Sequence, residues 1–439
     1  MSFSLDAGNT AWLLVCASLV LLMTPALAFF YGGMVRGKSV LNMLMMSFSA
    51  MGVVGLVWSL WGYSLAFGPS VAGGWFGNPF THFGLTVSDA SSPAASLGVP
   101  ALVFVAFEAT FAIITTALIS GAIADRAKIG TWMAFAAVWV TVVYAPLAHW
   151  VWGGGLFGPQ GWLARNLSLP IDLAGGTVVE INAGAAGLAL ALLVGQRHRW
   201  RKDPMRPHNL PFVMLGAGLL WFGWFGFNAG SGLAADGTAG RAWVNTFVAA
   251  CVGMLAWLGT ERVRDGHATS LGAASGTVAA LVAITPAAGA VDTYGAIAIG
   301  AVSGAVCALA VGMKYRLGFD DSLDVVGVHL VGGLVGTVMV GLFATHGHQD
   351  SFFLPGSRDG LFYGGGFTQL AVQVAIALAA LVWSFGLTFV IGWAFKRTMG
   401  WRVPQEAEIA GIDLHEHGET AYETVSQGSV HTRHREIRA

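Results

Sequence analysis

Two polar side chains stand where the sequence otherwise offers small and apolar residues: Glu180 in "GGTVVEINAG" (175–184) and His329 in "DVVGVHLVGG" (324–333). A carboxylate and an imidazole are groups that accept a proton, hold it and hand it on, and at membrane depth they serve as relays. A charged acid at the centre of a span costs ~2.5–3.5 kcal/mol on insertion scales, so such an acid wants a partner rather than lipid. An imidazole is a suitable one, because two groups so coupled share a proton and titrate as a unit. The plainer reading of each residue is a protonated acid bonded to a nearby carbonyl, and an interior histidine with both nitrogens satisfied.

The surrounding residues bring the two together. With "DLAGGTVVEINAGAAG" (172–187) set above "DSLDVVGVHLVGGLVG" (321–336), Glu180 lies over His329, Asp172 over Asp321, Val179 over Val328, Gly184 over Gly333 and Gly187 over Gly336. Apolar runs long enough to cross ~30 Å of hydrocarbon fall near 10–31, 39–67, 99–122, 130–148, 173–196, 211–233, 241–260, 268–284, 293–314, 323–344 and 366–395. The aligned segments are the fifth and tenth of these eleven. The expected fold is therefore an all-α integral membrane protein of eleven transmembrane helices: two inverted five-helix repeats (10–196 and 211–344) plus an eleventh helix (366–395). Inverted repeats carry their site near the bilayer midplane where the halves meet. Residues 1–9 are an outer N-terminus and 396–439 a polar tail.

Composition agrees with a membrane protein, since 55% of the 439 residues are hydrophobic and only 10% charged, with a mean hydropathy of +0.66. Placing the tail inside leaves only Arg165, Arg241 and Arg358 outside, so 19 of the 22 basic residues share one face. That asymmetry predicts an outer N-terminus and a cytoplasmic C-terminus in the cell membrane. "MSFSLDAGNT" lacks the basic region of a signal peptide. Cys16, Cys251 and Cys307 all lie within spans, which implies no disulfide framework. A net charge of -1 gives no footprint for nucleic acid. The 61 glycines suit close helix packing, as does the GxxxG at Gly300 and Gly304.

The stretches "AHWVWGGGLFG", "DLAGGTVVEINA", "RPHNLP", "GWFGFNAGS", "AITPAAG" and "DVVGVHLVGG", in this order, resemble the ammonium transporter (Amt/Mep/Rh) family, nearer its ammonium-transporter branch. The resemblance runs from about residue 10 to 425. It implies a right-handed eleven-helix bundle, a homotrimer with one pore per protomer, and no cofactor, metal or enzymatic activity. It also implies an outer vestibule that recruits ammonium at Phe107 and Phe111 of "FEATF", Trp152 of "VWGGG" and Ser231 of "FNAGS", with Phe111 and Phe227 stacked beneath as a gate. The residue types suit this, since an aromatic face attracts a cation by ~0.5–2 kcal/mol and a hydroxyl supplies an acceptor. Read without the resemblance, Trp152 is an interfacial anchor, the two Phe a packing stripe and Ser231 a packing serine. Thr285 is a candidate for a deeper pore site or a helix end. Asp172 resembles the acid at the outer mouth, yet its spacing predicts a cap for the amides of Ala174 or Gly175, supporting the pore. Asp320, Asp321 and Asp324 are expected to cap the tenth span in the same way.

One departure stands out. Family members usually carry two facing pore histidines, and here the first is Glu180, as in some members including fungal ones. A pore gated by Phe rings lacks the carbonyls that replace a hydration shell, so neutral ammonia passes more easily than the ion. The stripped proton then needs Glu180 and His329. A negative pair weakens the expected discrimination against potassium. The rival reading is an ammonium sensor with little flux. A hydrolase is disfavoured, because "AGSG" (229–232) has no base beside it and "HEH" (415–417) lacks the HExxH spacing. The tail resembles the segment that packs beneath a neighbouring protomer, and the resemblance implies a docking face there for a PII-type regulatory protein. Its plainer reading is a solvated polar end.

Overall fold

The computed structural model describes residues 3–203, 205–347, 352 and 355–422. Residues 423–439 of the expected tail, and the N-terminal Met1 and Ser2, lie outside them. The chain folds into helices α1 (Ala7–Met34), α2 (Val40–Phe67), α3 (Ala101–Ile123), α4 (Ile129–Val151), α5 (Gly176–Val194), α6 (Leu210–Gly230), α7 (Gly237–Asp265), α8 (Ser270–Ile284), α9 (Thr293–Leu317), α10 (Val326–Phe343) and α11 (Thr368–Thr398). Among the described residues, ten of these are long and apolar enough to cross a membrane. The exception is α8, with 15 residues, or about 22 Å at 1.5 Å per residue. Pro286 follows, has no N–H to continue a helix, and the chain goes on as buried turns over 285–290.

Polar side chains start several helices by accepting from amides of the first turn. Asp6 takes the Asn9 amide at 2.8 Å, Asn209 that of Phe212 at 3.0 Å, Thr269 that of Gly272 at 2.8 Å and Asp292 that of Gly295 at 2.8 Å. Between α7 and α9 the GxxxG works by close approach. A Cβ on Gly300 would stand 2.6 Å from the Ala249 carbonyl oxygen, and one on Gly304 2.3 Å from that of Gly253.

Four spans contain a turn of π-helix: Trp58–Gly62 in α2, Val140–Tyr144 in α4, Gly176–Ile181 in α5 and Val326–Leu330 in α10. Such turns re-aim side chains and gather at functional sites. Two of the four carry Glu180 and His329.

The arginine-rich end is closed by buried ion pairs. Arg197 holds Asp320 at 2.8 and 2.9 Å and Asp125 at 3.2 Å. Arg126, fully buried, donates to the carbonyls of Ala122, Ala124 and Asp320 and to Ser322. Burial lowers the Arg126 guanidinium to about 10. Burial pushes Asp320 up, but the guanidinium groups of Arg197 and Arg126 outweigh it and hold the carboxyl below its ordinary value. Asp320 is thus a counter-ion rather than the expected helix cap. Asp324 likewise pairs with Lys314 at 2.5 Å, and Asp321 alone of the three caps, taking the Val326 amide at 2.7 Å.

The tail folds back as α12 (Gln405–Ala410) and α13 (Ile412–His417) onto its own chain. Asp413 accepts from the amides of Leu41 and Asn42 at the start of α2, and Glu416 from that of Ile129 at the start of α4.

Candidate functional site

At the end of the bundle opposite the arginines, the chain turns back before α5, and this turn builds the site. Asp172 accepts from the amides of Gly175, Gly176 and Thr177 at 2.9, 2.7 and 2.8 Å and from the Thr177 hydroxyl. The cap therefore starts at Gly175, not Ala174, and spreads over three amides. Gly175 has a φ of 113°, a conformation that side chains resist, and a Cβ there would stand 3.3 Å from the Trp152 ring. The Asp172 carbonyl receives the indole N–H of Trp152 at 3.0 Å. One residue thus starts the π-turn of α5 and fixes the tryptophan over it.

The aromatic residues form one chain of contacts. Phe107 and Phe111 lie 4.9 Å apart, Phe111 meets Trp152 edge-on at 6.0 Å, and Phe111 stacks on Phe227 at 4.3 Å with 24° between planes. Phe107, Phe111 and Phe227 are all buried. Such pairs each add ~0.5–1.5 kcal/mol beyond burial, so the rings hold one another in place. Ser231 follows α6 and gives its hydroxyl to the Phe227 carbonyl at 2.8 Å, which leaves the oxygen free to accept.

Beneath the stack is a narrow cavity, lined by apolar residues of α1, α3 and α6, by Trp224 and Phe227, and by Glu180 and His329. His329 Nδ1 and Glu180 Oε2 are 2.7 Å apart, both residues are buried, and Glu180 Oε1 has no partner. The two π-turns cross tightly enough to set this distance. A Cβ on Gly184 would stand 2.3 Å from the Leu330 amide nitrogen, and one on Gly333 3.0 Å from that of Ile181. Each glycine thus abuts the residue that follows the partner's titratable group. The matched acids behave alike too, since Asp172 takes the amide five residues on at Thr177 and Asp321 the one five on at Val326.

Thr285 stands at the C-terminal end of α8, one of the two places expected for it. Its oxygen accepts the Trp224 indole N–H at 2.9 Å while its own hydroxyl donates to Leu281, and it lies outside the residues that line the cavity. It holds Trp224, which itself lines the cavity and contacts Phe227 at 5.5 Å.

Three supporting residues escaped the sequence reading. His149, in "AHWVWGGG", is buried with Nδ1 2.8 Å from the Ala66 carbonyl and Nε2 2.8 Å from the Ser70 hydroxyl. A carbonyl only accepts, so Nδ1 carries the proton and the ring is fixed three residues before Trp152. Gln369 and Gln373 of α11 satisfy the buried backbone that leads to Asp172. Gln373 takes the Ile171 amide at 2.9 Å and donates to its carbonyl at 2.8 Å, while Gln369 takes the Ser168 hydroxyl at 2.6 Å. Two amides four residues apart in an apolar span were the available signal.

Comparison with known proteins places the chain. The family model described as Ammonium Transporter Family matches residues 11–422. An ammonium transporter of Mycobacterium tuberculosis is 55% identical over 442 residues, covering 97% of this chain and 92% of its own. One from Aquifex aeolicus is 47% identical over 422 residues, covering 95% and 94%. Among solved structures, Saccharomyces cerevisiae Mep2 superposes with a TM-score of 0.82 at 34% identity, over 92% of this chain and 88% of that one. A protein described as a sensor Amt protein gives 0.83 at 29% identity, over 93% and 98%. The chain belongs to the ammonium transporter family.

Proposed function

We propose that this chain recruits ammonium at Phe107, Phe111, Trp152 and Ser231, strips a proton from it, and conducts ammonia past the Phe111–Phe227 gate while Glu180 and His329 relay the proton inward. The 2.7 Å contact between His329 Nδ1 and Glu180 Oε2, in an apolar cavity under stacked rings, is the observation that carries this reading. An intact ion in that cavity would meet too few polar atoms to replace its water. Ammonia needs none, and the acid has a free oxygen to take the proton. Electrons stay with the nitrogen when its N–H bond breaks, and the new O–H or N–H bond forms on the pair.

The reciprocal contacts of Gly184 and Gly333, and the matched caps of Asp172 and Asp321, support two inverted repeats, with α8 as a shortened member and α11 outside the symmetry. Basic-residue asymmetry supports a cytoplasmic tail and an outer aromatic site. We read the assembly as a homotrimer in the cell membrane whose cytoplasmic face suits a PII-type regulator. Tags placed at the two ends should be reachable from opposite sides of the membrane. Both on one side would overturn eleven crossings.

The sensor reading draws on the likeness to the protein described as a sensor Amt protein. Ammonium-driven current in proteoliposomes, with potassium as competitor, decides between the two. Current that grows with ammonium supports transport, and saturable binding without current would replace it by sensing.

A further inference from the structure

Glu108 is a second acid inside a span, and the relay does not use it. It lies between Phe107 and Phe111 in sequence, about 100° around α3 from the first and about 60° from the second, so it flanks the ring stack, on the side where Tyr63 of α2 and Tyr144 of α4 feel its charge. There it meets the two π-turns that have no part in the pore. The turn of α2 touches that of α4, and the latter touches α3. Trp58 of the first donates to the Val105 carbonyl on α3 at 3.2 Å, and its ring lies 6.3 Å from Tyr144 of the second and 6.0 Å from Tyr63.

This wall holds two unmet polar groups. Glu108 is only 7% exposed, and its Oε2 has no hydrogen-bond partner. The Tyr144 hydroxyl, fully buried beside Thr115, also lacks a partner of good geometry. The titratable groups that face the acid are Tyr63 and Tyr144, and among the described residues no charged side chain acts on it. An ionised carboxylate without a counter-charge in such a place is costly, and an ionisable group at membrane depth is by default a functional site. A protonated carboxyl carries no charge to compensate, and the Tyr144 hydroxyl, also without a hydrogen bond, is a polar group of the same wall that the charge would reach.

We propose that Glu108 is a proton-binding site, filled at neutral pH, whose emptying charges the wall behind Phe107 and Phe111. On release the O–H bond breaks, the electron pair stays on the carboxylate and the proton passes to water at that end of the bundle. The negative charge then strengthens the pull of the vestibule on a cation as pH rises, when less of the substrate is protonated. The proton site stands independently of the transport reading. Its effect on ammonium rests on that reading.

Infrared difference spectra recorded while purified protein is titrated test the site without any transport. A carboxylic acid band present at neutral pH should vanish in Glu108→Gln, persist in Glu180→Gln, and shift in frequency in Tyr144→Phe. A band that survives Glu108→Gln, or is untouched by Tyr144→Phe, overturns the proposal even if one variant folds poorly. For the second part, Glu108→Gln imitates the filled site. It should match the parent in uptake at neutral pH and lose any rise in apparent ammonium affinity at alkaline pH. The same alkaline rise in both proteins would leave Glu108 no part in recruitment.

Discussion

Two buried acid–base groupings lie at different depths of this protein. At the arginine-rich end, the Asp320 carboxylate receives three hydrogen bonds from Arg197 alone, on both of its oxygens. In the cavity, Glu180 has one partner and one idle oxygen. The first carboxylate is saturated and can only hold. The second is one bond short, so it can take something up. For these two carboxylates, degree of satisfaction rather than burial separates a structural charge from one available for chemistry.

The comparison is broken most severely at the saturated end. Arg197→Ala leaves Asp125 and Asp320 without their main counter-charge and should cost ~3–5 kcal/mol of stability, read as a large drop in thermal unfolding temperature. Its sign with pH is fixed. Asp320 has a depressed folded value, so its contribution is complete above the ordinary carboxylate value of ~3.9 and is lost as pH falls through the lower folded value. The parent should therefore lose stability in that acid window by a component that Arg197→Ala lacks. An unfolding temperature equal to the parent's would place the knot among dispensable contacts.

At the unsaturated end the loss should be functional. Glu180→Gln keeps shape but cannot ionise, and should lower ammonium-driven current by roughly tenfold or more, ~1.4 kcal/mol in barrier, while the protein stays folded. Glu180→His should recover current with a shifted pH profile, since an imidazole then stands where the carboxylate was. Unaltered current and pH dependence in Glu180→Gln would remove the relay. Smaller again is Trp152→Leu, which deletes the ring face and should weaken ammonium recruitment by ~0.5–2 kcal/mol, seen as a raised half-saturation concentration. Ser231→Ala should cost least, ~0.5–1.5 kcal/mol for one hydroxyl. An effect of Ser231→Ala exceeding that of Trp152→Leu would reverse the order of the two contacts.

The nearness of Glu180 and His329 was readable because both stand in segments that align at a constant offset, with the glycines that permit contact aligned as well. Asp172 was readable as a cap from its spacing, though not the reach of that cap over three amides. The π-turns were not, because one extra residue in a turn leaves the apolar pattern of a buried helix unchanged. The apolar run expected at 268–284 is α8, Ser270–Ile284, within two residues, and at 15 residues it is short for a crossing because Pro286 prevents its extension. Asp320 was misread as a cap because its partner, Arg197, lies 123 residues away, and no local pattern records a contact of that range. His149 was passed over for a similar reason, since both its partners come from the loop and helix end near residues 66–70.

The cap on α2 has a temporal meaning. Leu41 and Asn42 find their acceptor, Asp413, across a separation of more than 370 residues. During synthesis those amides stay open while every later helix is made and inserted, and they close only when the tail emerges. A chain stopped anywhere between Thr398 and Asp413 has all eleven apolar helices and an unsealed underside. The start of the second helix is thus closed by an acidic turn that follows all eleven apolar helices.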